Sequence, residues 1–367
     1  MALDKYRFRH RPDYMLIFLV LALCLIGLIA ISSASVVISF EHFGRNYVYL
    51  SRQAAALAVG VLAWLLFQAI DYRFWKKIAP FLLFLTFGLL FLVFLPVIGH
   101  GFKGATRWLD LGFVTIQPSE IVKLTFILYL AAWLEARQNH LLELKVISTL
   151  GLLIALVAGL IILQPDMGTM VLVVLVAALM IFLAGADIYH FSLASILALF
   201  LFFVLIKIAP YRLERLLTFF NPSESLGSAY HINQSLLAVG NAGIFGLGFG
   251  NSRQKYLYLP QPQTDSIFAI IAEELGFLRA SAIILLFLVL GIRLINLAKK
   301  APDNFARLVV LGVTAWILVQ VLINLGAMLG LLPLTGVTLP FISFGGTSLV
   351  VLLAAMGILT NISKQVK

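Results

Sequence analysis

Charged side chains are scarce in this sequence: Asp, Glu, Lys and Arg make up 11% of its 367 residues, whereas 62% are apolar. A soluble domain is about 45–50% apolar and about 25% charged. The shortage of charge therefore excludes a soluble enzyme, a disordered protein and a fibrous repeat. The apolar runs are long enough for membrane-spanning helices rather than for the strands of a barrel. The composition predicts an integral membrane protein.

Cysteine is nearly absent as well. The single Cys24 lies within an apolar run, which excludes a disulfide framework and a thiol cluster for a metal ion. The six histidines are scattered and show no HExxH spacing, so we predict neither a zinc site nor an organic cofactor.

Apolar runs of the length of a spanning helix, about 20 residues, recur along the whole chain. We predict an all-α polytopic membrane protein of ten transmembrane helices that form a single domain over residues 1–367. The predicted spans are 14–36, 54–71, 79–98, 118–135, 146–163, 167–186, 188–209, 267–295, 306–331 and 338–361.

The distribution of basic residues predicts the orientation of these spans. Ten spans place both termini on one side, and if that side is the cytoplasm, the inner segments carry fifteen Lys and Arg residues. The short outer loops carry four: Arg45, Arg52, Lys103 and Arg107. This positive-inside bias predicts a cytoplasmic basic N-terminus at 1–13 and explains the net charge of +10 without nucleic-acid binding.

The segment 210–266 is then a large extracytoplasmic loop between helices 7 and 8. Loops of this length are usually functional or disordered, and its apolar, glycine-containing part at 231–250 predicts an amphipathic or re-entrant helix. Irregular stretches at 99–117 and 332–347 face the same side. Irregular backbone at membrane depth is tolerated where it lines a cavity, so we expect an outward-facing cavity. The sequence shows no internal repeat, which argues against an inverted-repeat transporter.

Ionisable residues in or beside the apolar runs are the candidates for function, because such groups are costly in lipid. Glu120 and Lys123 share a helix face and form either a structural ion pair or a contact for an anionic substrate. Asp166 is either a turn former or a carboxylate that lines the cavity. Arg52 and Arg107 are either interfacial anchors or phosphate ligands, and the pair Arg212 and Arg215 is interpreted as facing solvent or lipid headgroups.

Asp265 precedes span eight, where it is either a helix cap or a functional carboxylate. Glu273 lies about 12 Å deeper and roughly 80° around the helix, so it is the better candidate to share a cavity with Asp265. Glu274 points to nearly the opposite face and is expected to pair with another helix.

The segment Asn324 to Ser348, NLGAMLGLLPLTGVTLPFISFGGTS, resembles the signature of the SEDS (shape, elongation, division, sporulation) family over more than a dozen positions. Further matches run through nearly all ten spans in order. Segments 211–222 and 250–260 favour the cell-division branch over the elongation branch. Ser266 departs from the pattern, since a Phe is usual there. The other matches include Arg52-Gln53, Arg107-Trp108, Gln117-Pro-Ser-Glu120 with Lys123, Gln164-Pro-Asp166, and Thr264-Asp265 before Glu273-Glu274.

The resemblance implies a peptidoglycan glycosyltransferase of the bacterial cytoplasmic membrane that polymerises lipid II, an undecaprenyl-pyrophosphoryl disaccharide peptide, at the outer face. A hydroxyl is a weak nucleophile, so the reaction needs a general base, and Asp265 is our candidate. Mg²⁺ or Mn²⁺ is implied as a divalent cation for the leaving pyrophosphate. The predicted substrate-binding residues are Arg52, Arg107, Glu120, Lys123, Asp166, Gln234, Ser235, Glu273 and Ser343.

The resemblance also implies a partner, a class B penicillin-binding protein with transpeptidase activity, within the divisome or elongasome. Two alternatives stay open: a flippase that moves lipid II across the membrane, and the elongation-type member of the same family. The grouping of polar residues on the outer side and the missing repeat argue against the flippase.

Overall fold

Within the residues that it describes, the computed structural model shows a helical membrane protein with a small β-sheet. It describes residues 11–95, 99–102, 105–110, 112, 115–140, 143–186, 210–220 and 228–366, with scattered positions between 187 and 209. The helices are α1 (Tyr14–Ala34), α2 (Val36–Phe43), α3 (Val48–Ala69), α4 (Tyr72–Leu92), α5 (Pro118–Ala136), α6 (Leu144–Ile162), α7 (Met167–Leu183), α8 (Pro210–Phe220), α9 (Ser228–Asn241), α10 (Ile267–Lys299), α11 (Asn304–Met328) and α12 (Gly346–Ser363).

Seven helices of the described residues are long and apolar enough to cross a membrane: α1, α3, α4, α6, α10, α11 and α12. The predicted fourth and sixth spans are present as α5 and as the shorter α7. The 19-residue α5 holds three charged residues, Glu120, Lys123 and Glu135. The predicted seventh span, 188–209, lies mostly outside the described residues.

The interior of the bundle is formed around α11, which packs against α5, α7 and α10. The most extensive helix–helix contact joins α3 and α12. Small residues let these two backbones approach closely, because a methyl group on Gly357 would lie 2.6 Å from the carbonyl oxygen of Trp64. The indole of Trp64 donates a 3.1 Å hydrogen bond to Thr360 on α12. This interface fixes α12, which directly follows the irregular segment 331–345.

The stretch 99–117, predicted to be irregular, contains a three-stranded antiparallel sheet. Its strands are β1 (Gly99–Phe102), β2 (Ala105–Asp110) and β3 (Thr115–Ile116), paired in the order β1-β2-β3. The prediction was wrong here because strands of two to six residues give too short an alternation of apolar and polar residues to be recognised. The sheet leads directly into α5.

The last predicted span begins too early. Residues 338–345 belong to an irregular segment, and α12 starts only at Gly346. Side chains of α11 supply partners for this irregular backbone: Gln320 donates to the carbonyl oxygen of Thr338 and Asn324 to that of Val337, both at 2.8 Å. The irregular character expected for 332–347 is thus confirmed up to residue 345.

The long helix α10 is interrupted at Gly276, whose backbone (φ 83°, ψ 172°) is not helical. A loop that follows α9 fills the interruption. The amides of Leu247 and Gly248 donate to the carbonyl oxygens of Glu273 and Glu274, and Phe277 donates to Gly243, all at 2.9–3.0 Å. The loop and the broken helix therefore satisfy each other's backbone groups. The helical prediction for 231–250 holds only as far as Asn241.

Candidate active site

A cleft of about 250 Å³ lies at the N-terminal end of α10. Helices α8 and α9, the loop before α10 and the irregular segment 331–345 contribute to its wall. Asp265 is half-buried in this wall. The residues that line the cleft are Glu214, Arg215, His231, Pro260, Asp265, Leu334 and Gly336.

Asp265 does not cap α10. The N-cap residue is Ser266, and no side chain there bonds the first turn. The carboxylate of Asp265 accepts a 3.1 Å hydrogen bond from the hydroxyl of its neighbour Thr264. The capping alternative considered for Asp265 is therefore wrong, and its carboxylate lies in the cleft.

The backbone of Asp265 is fixed from α11. The side-chain amide of Asn324, which is buried, donates to the carbonyl oxygen of Asp265 at 2.8 Å and also to that of Val337. Gly336 follows the same irregular segment into the cleft, and a methyl group on it would lie 4.0 Å from Oδ2 of Asp265. Asn324 of the signature segment therefore holds the backbone of Asp265 in place, and Gly336 leaves room beside its carboxylate.

His231 stands beside Asp265 in the cleft wall. Its Nε2 lies 2.6 Å from the hydroxyl of Ser266, and that hydroxyl donates at 3.0 Å to the carbonyl oxygen of Pro260. Burial lowers the pKa of His231, and Arg215 acts in the same direction, while Asp265 and the Pro260 carbonyl oppose the shift. The imidazole is therefore neutral at pH 7.

Glu120 and Lys123 form a buried ion pair with an N–O distance of 2.7 Å. The ammonium group of Lys123 also lies 3.4 Å from Oε1 of Gln320 and 5.2 Å from the ring centre of Trp316. Neither partner lines the cleft around Asp265. Of the two alternatives, the structure shows the ion pair.

Arg107 and Asp166 meet at the turn between α6 and α7. Arg107 donates to the carbonyl oxygens of Gln164 and Pro165, and its guanidinium lies 4.0 Å from Oδ1 of Asp166. The carboxylate of Asp166 caps α7 through the amide of Thr169 (3.2 Å). Asp166 is thus a turn residue and helix cap, and Arg107 fastens this turn to β2.

Glu273 and Glu274 are both buried, but neither lines the cleft with Asp265. Glu273 accepts hydrogen bonds from the hydroxyl of Ser252 (2.5 Å) and from the next two backbone amides. Glu274 pairs with Lys255 (3.1 Å) and with Ser33 of α1 (2.6 Å). The expectation that Glu273 shares the cavity of Asp265 is wrong, because loop 250–255 folds over it.

The remaining predicted contacts lie on other elements. Arg52, within α3, stacks its guanidinium 4.9 Å from the ring centre of Phe43. Ser343 is buried and accepts a 2.8 Å hydrogen bond from the amide of Leu339. On α9, Gln234 is half-buried, and the buried Ser235 bonds the carbonyl oxygen of His231 (2.9 Å). The structure therefore does not bring these residues into the wall of the cleft.

Sequence reasoning missed Glu214, Arg215 and His231 as cleft residues. Arg215 was expected to face solvent or headgroups together with Arg212, which instead donates to the carbonyl oxygen of Ile162 at 3.4 Å. The spacing of His231 and Gln234, three residues apart on one helix face, was an available signal. That spacing does not reveal which other helices or loops this face of α9 contacts.

The described residues contain no group of three or more His, Cys, Asp or Glu side chains that could hold a metal ion.

Residues 14–367 match the family of cell cycle proteins that comprises FtsW, RodA and SpoVE. The chain is 43% identical to stage V sporulation protein E of Bacillus subtilis, over 96% of this chain and 97% of that protein. It is 38% identical to the probable peptidoglycan glycosyltransferase FtsW of Coxiella burnetii, over 96% of both chains.

Solved structures agree with this relationship. The rod shape determining protein RodA of Thermus thermophilus superimposes with a TM-score of 0.72 at 30% identity, over 96% of both chains. A chain from a peptidoglycan synthase complex, described for its structural coordination of polymerization and crosslinking, gives a TM-score of 0.81 at 31% identity, over 96% of this chain and 97% of that one. The apolar helices and these relatives identify a multi-pass protein of the bacterial cytoplasmic membrane. The chain belongs to the SEDS family, the cell cycle proteins that include FtsW, RodA and SpoVE.

Proposed function

We propose that this peptidoglycan glycosyltransferase polymerises lipid II at the outer face of the membrane during cell division, with Asp265 as general base. Support comes from a relative of 38% identity that carries the name probable peptidoglycan glycosyltransferase FtsW. The cleft supports the same reaction, because it presents a carboxylate, a guanidinium and an imidazole in one place.

One observation carries the assignment of Asp265. Glu120, Asp166, Glu273 and Glu274 all have cationic or backbone amide partners. The carboxylate of Asp265, by contrast, accepts a hydrogen bond from Thr264 alone within the described part of the chain. A general base needs an ionised group with a free lone pair within reach of the hydroxyl. The single hydrogen bond from Thr264 leaves other lone pairs of the Asp265 carboxylate free, and its place in the cleft supports the reach.

Glu214 is a second carboxylate in the described part of the cleft wall. It lies exposed on α8, whereas Asp265 is fixed through its own carbonyl oxygen by Asn324. A catalytic group must be held in a productive geometry by its surroundings. We therefore assign the base to Asp265.

In the reaction that we propose, the 4-hydroxyl oxygen of the acceptor GlcNAc bonds to the anomeric carbon of the donor MurNAc. The bond from that carbon to the phosphate oxygen breaks, and undecaprenyl pyrophosphate leaves with the electron pair. Asp265 takes the hydroxyl proton. Arg215 lines the same cleft and is our candidate to stabilise the charge that develops on the leaving pyrophosphate.

The substrate-binding roles of the predicted residues stay proposals. Arg52 is exposed beside Phe43, so its charge is available to an anionic headgroup. We propose that seven others support the walls of the cavity through the contacts described above: Arg107, Glu120, Lys123, Asp166, Ser235, Glu273 and Ser343. Gln234 is half-buried on α9 and keeps its proposed substrate-binding role.

Mg²⁺ or Mn²⁺ stays a proposal as well. Mg²⁺ usually binds through substrate phosphates and keeps several waters, so we propose that a cation arrives with the pyrophosphate. We assign it no protein ligand and no step of the reaction.

We also propose ten spans in one domain, with both termini in the cytoplasm and residues 210–266 outside.

The partner that we propose is a class B penicillin-binding protein, supported by the similarity to a chain of a peptidoglycan synthase complex. The division role rests on relatives named FtsW, and its test is whether the protein works with the division or the elongation transpeptidase.

The substitution Asp265→Asn tests the assignment, because it keeps the size of the side chain and removes its ability to take a proton. Purified protein in detergent micelles is given lipid II, with and without its transpeptidase, and glycan chains are measured. We expect polymerisation to slow by at least about 10²-fold while lipid II still binds.

Micelles have no second compartment, so this assay scores chemistry and not transport. Chain formation at the normal rate by Asp265→Asn would remove Asp265 as the base. Wild-type protein that binds lipid II but forms no chains, with the transpeptidase present, would favour the flippase. Glu143→Gln is a matched control, because Glu143 is an exposed carboxylate beside His140, remote from the cleft.

A further inference from the structure

His231 and Ser266 form a junction of three chain segments beside Asp265. His231 belongs to α9, Pro260 to the loop before α10, and Ser266 to the start of α10. The Ser266 hydroxyl lies 2.6 Å from Nε2 of His231 and 3.0 Å from the carbonyl oxygen of Pro260. Ser266 is one of the positions at which the chain departs from the family pattern.

Assigning the Ser266 hydroxyl proton to the carbonyl oxygen of Pro260 also assigns the tautomer of His231. A serine hydroxyl has one proton to donate, and a carbonyl oxygen can only accept. Ser266 gives its proton to Pro260, so it must accept the bond from His231. Nε2 therefore carries the proton, and Nδ1 is the nitrogen that gains a proton when the imidazole becomes charged.

Ser266 is the covalent neighbour of Asp265 and is fully buried. Asn324 fixes the Asp265 carbonyl oxygen from one side, and the Ser266 hydroxyl is fixed from the other side by His231 and Pro260. We propose that His231 is a positioning residue for Asp265, which acts through Ser266 and must be neutral for full activity. This inference rests on the proposed role of Asp265 as the base.

Charged groups around His231 explain why its protonation matters. Asp265 faces it from the start of α10, and Arg215 and Glu214 line the same cleft from α8. The lowered pKa keeps the imidazole neutral at pH 7. As the pH falls, an imidazolium forms beside Asp265 and makes its carboxylate a weaker base. The chain-forming rate should therefore decline on the acid side at the pKa of His231.

Three variants separate the effect of the His231–Ser266 hydrogen bond from the effect of the charge on the imidazole. His231→Gln retains an N–H donor for Ser266 and cannot titrate, His231→Ala removes the donor, and Ser266→Ala removes the acceptor. We measure kcat, KM and the pH profile of polymerisation for each variant of the full chain in micelles. Thermal melting shows which variants are folded.

We expect His231→Ala and Ser266→Ala to lower kcat by about 10- to 100-fold with little change in KM, because the carboxylate is displaced rather than the substrate lost. His231→Gln should keep most of the wild-type kcat at pH 7.5. The polymerisation rate of this variant should decline at a lower pH than that of the wild type. The matched control is His140→Ala, an exposed histidine remote from the cleft, which should leave kcat and the pH profile unchanged.

Folded His231→Ala with the kcat and pH profile of the wild type would overturn the positioning role. A wild-type pH profile in His231→Gln would overturn the requirement for a neutral imidazole. Asp265→Asn serves as the reference: if it is inactive while His231→Ala is unaffected, only this inference fails. If Asp265→Asn is active, the proposed base itself is wrong.

Discussion

The side-chain amide of Asn324 donates a 2.8 Å hydrogen bond to the backbone carbonyl oxygen of Asp265. The two residues are 59 positions apart in the chain, and the bond joins the end of α11 to the start of α10. The same amide holds the carbonyl oxygen of Val337. One buried asparagine thus connects the proposed base with the irregular segment that faces it.

Substitution Asn324→Ala tests this connection. It leaves two carbonyl oxygens without their donor, and a buried unpaired polar group costs about 1–3 kcal/mol. We expect a lower melting temperature and a loss of kcat of about tenfold or more, since a displaced catalytic group is costly. Asn304→Ala is the control, because Asn304 lies exposed at the other end of α11 and bonds Gln138. Equal kcat for both variants would show that Asn324 does not position Asp265.

Gly276→Ala should disrupt the docking of loop 243–248 into α10. A methyl group there would lie 2.3 Å from the backbone nitrogen of Gly246, and the positive φ adds strain. We expect a loss of stability of about 2 kcal/mol or more, measured as a lower melting temperature. Gly88→Ala is the matched control, since the space around Gly88 in α4 is open and alanine favours helices. Melting at the same temperature for both variants would contradict the docking.

The ion pair of Glu120 and Lys123 should show strong coupling. Removing one partner of a buried pair strands a charge at a cost of roughly 3–5 kcal/mol, whereas removing both is often near neutral. We therefore expect the double variant Glu120→Ala, Lys123→Ala to be more stable than the sum of the single losses predicts. Thermal unfolding of the four proteins gives the coupling. Strictly additive losses would mean that the two side chains do not interact.

Much of the bundle was predictable from the sequence, because apolar runs of spanning length dominate it. Six of the spanning helices have at least one end within about two residues of a predicted span: α1, α3, α6, α10, α11 and α12. The exceptions are the early start of α3, the late start of α12, and α4, which both begins and ends earlier than its predicted span at 79–98. Arg52 and Arg73 made the first turns of α3 and α4 look like loops. Long charged side chains near the end of a spanning helix can reach water, so these residues are compatible with a helix.

The site was predictable only in part. Asp265 stood out because a carboxylate is rare beside a spanning helix. His231 and Arg215, its neighbours in the cleft, did not stand out in the sequence. They lie on short helices whose direction depends on tertiary contacts. Glu273 was placed in the cavity by helix geometry alone, which carries no information about the loop that folds over it. Local spacing describes one helix, whereas a cleft is formed by several.

Residues 210–266 should be accessible from outside the cell, because the positive-inside bias places both termini in the cytoplasm. The chain is suited to cysteine labelling, since its single Cys24 is buried in α1. Tyr256 is 58% exposed in the loop before α10, so Tyr256→Cys should react with a membrane-impermeant thiol reagent in intact spheroplasts. Asn139→Cys, at an exposed position between α5 and α6, should react only after lysis. The reverse pattern would invert the topology and place the cleft of Asp265 on the cytoplasmic side, where it could not act on an outer-face substrate.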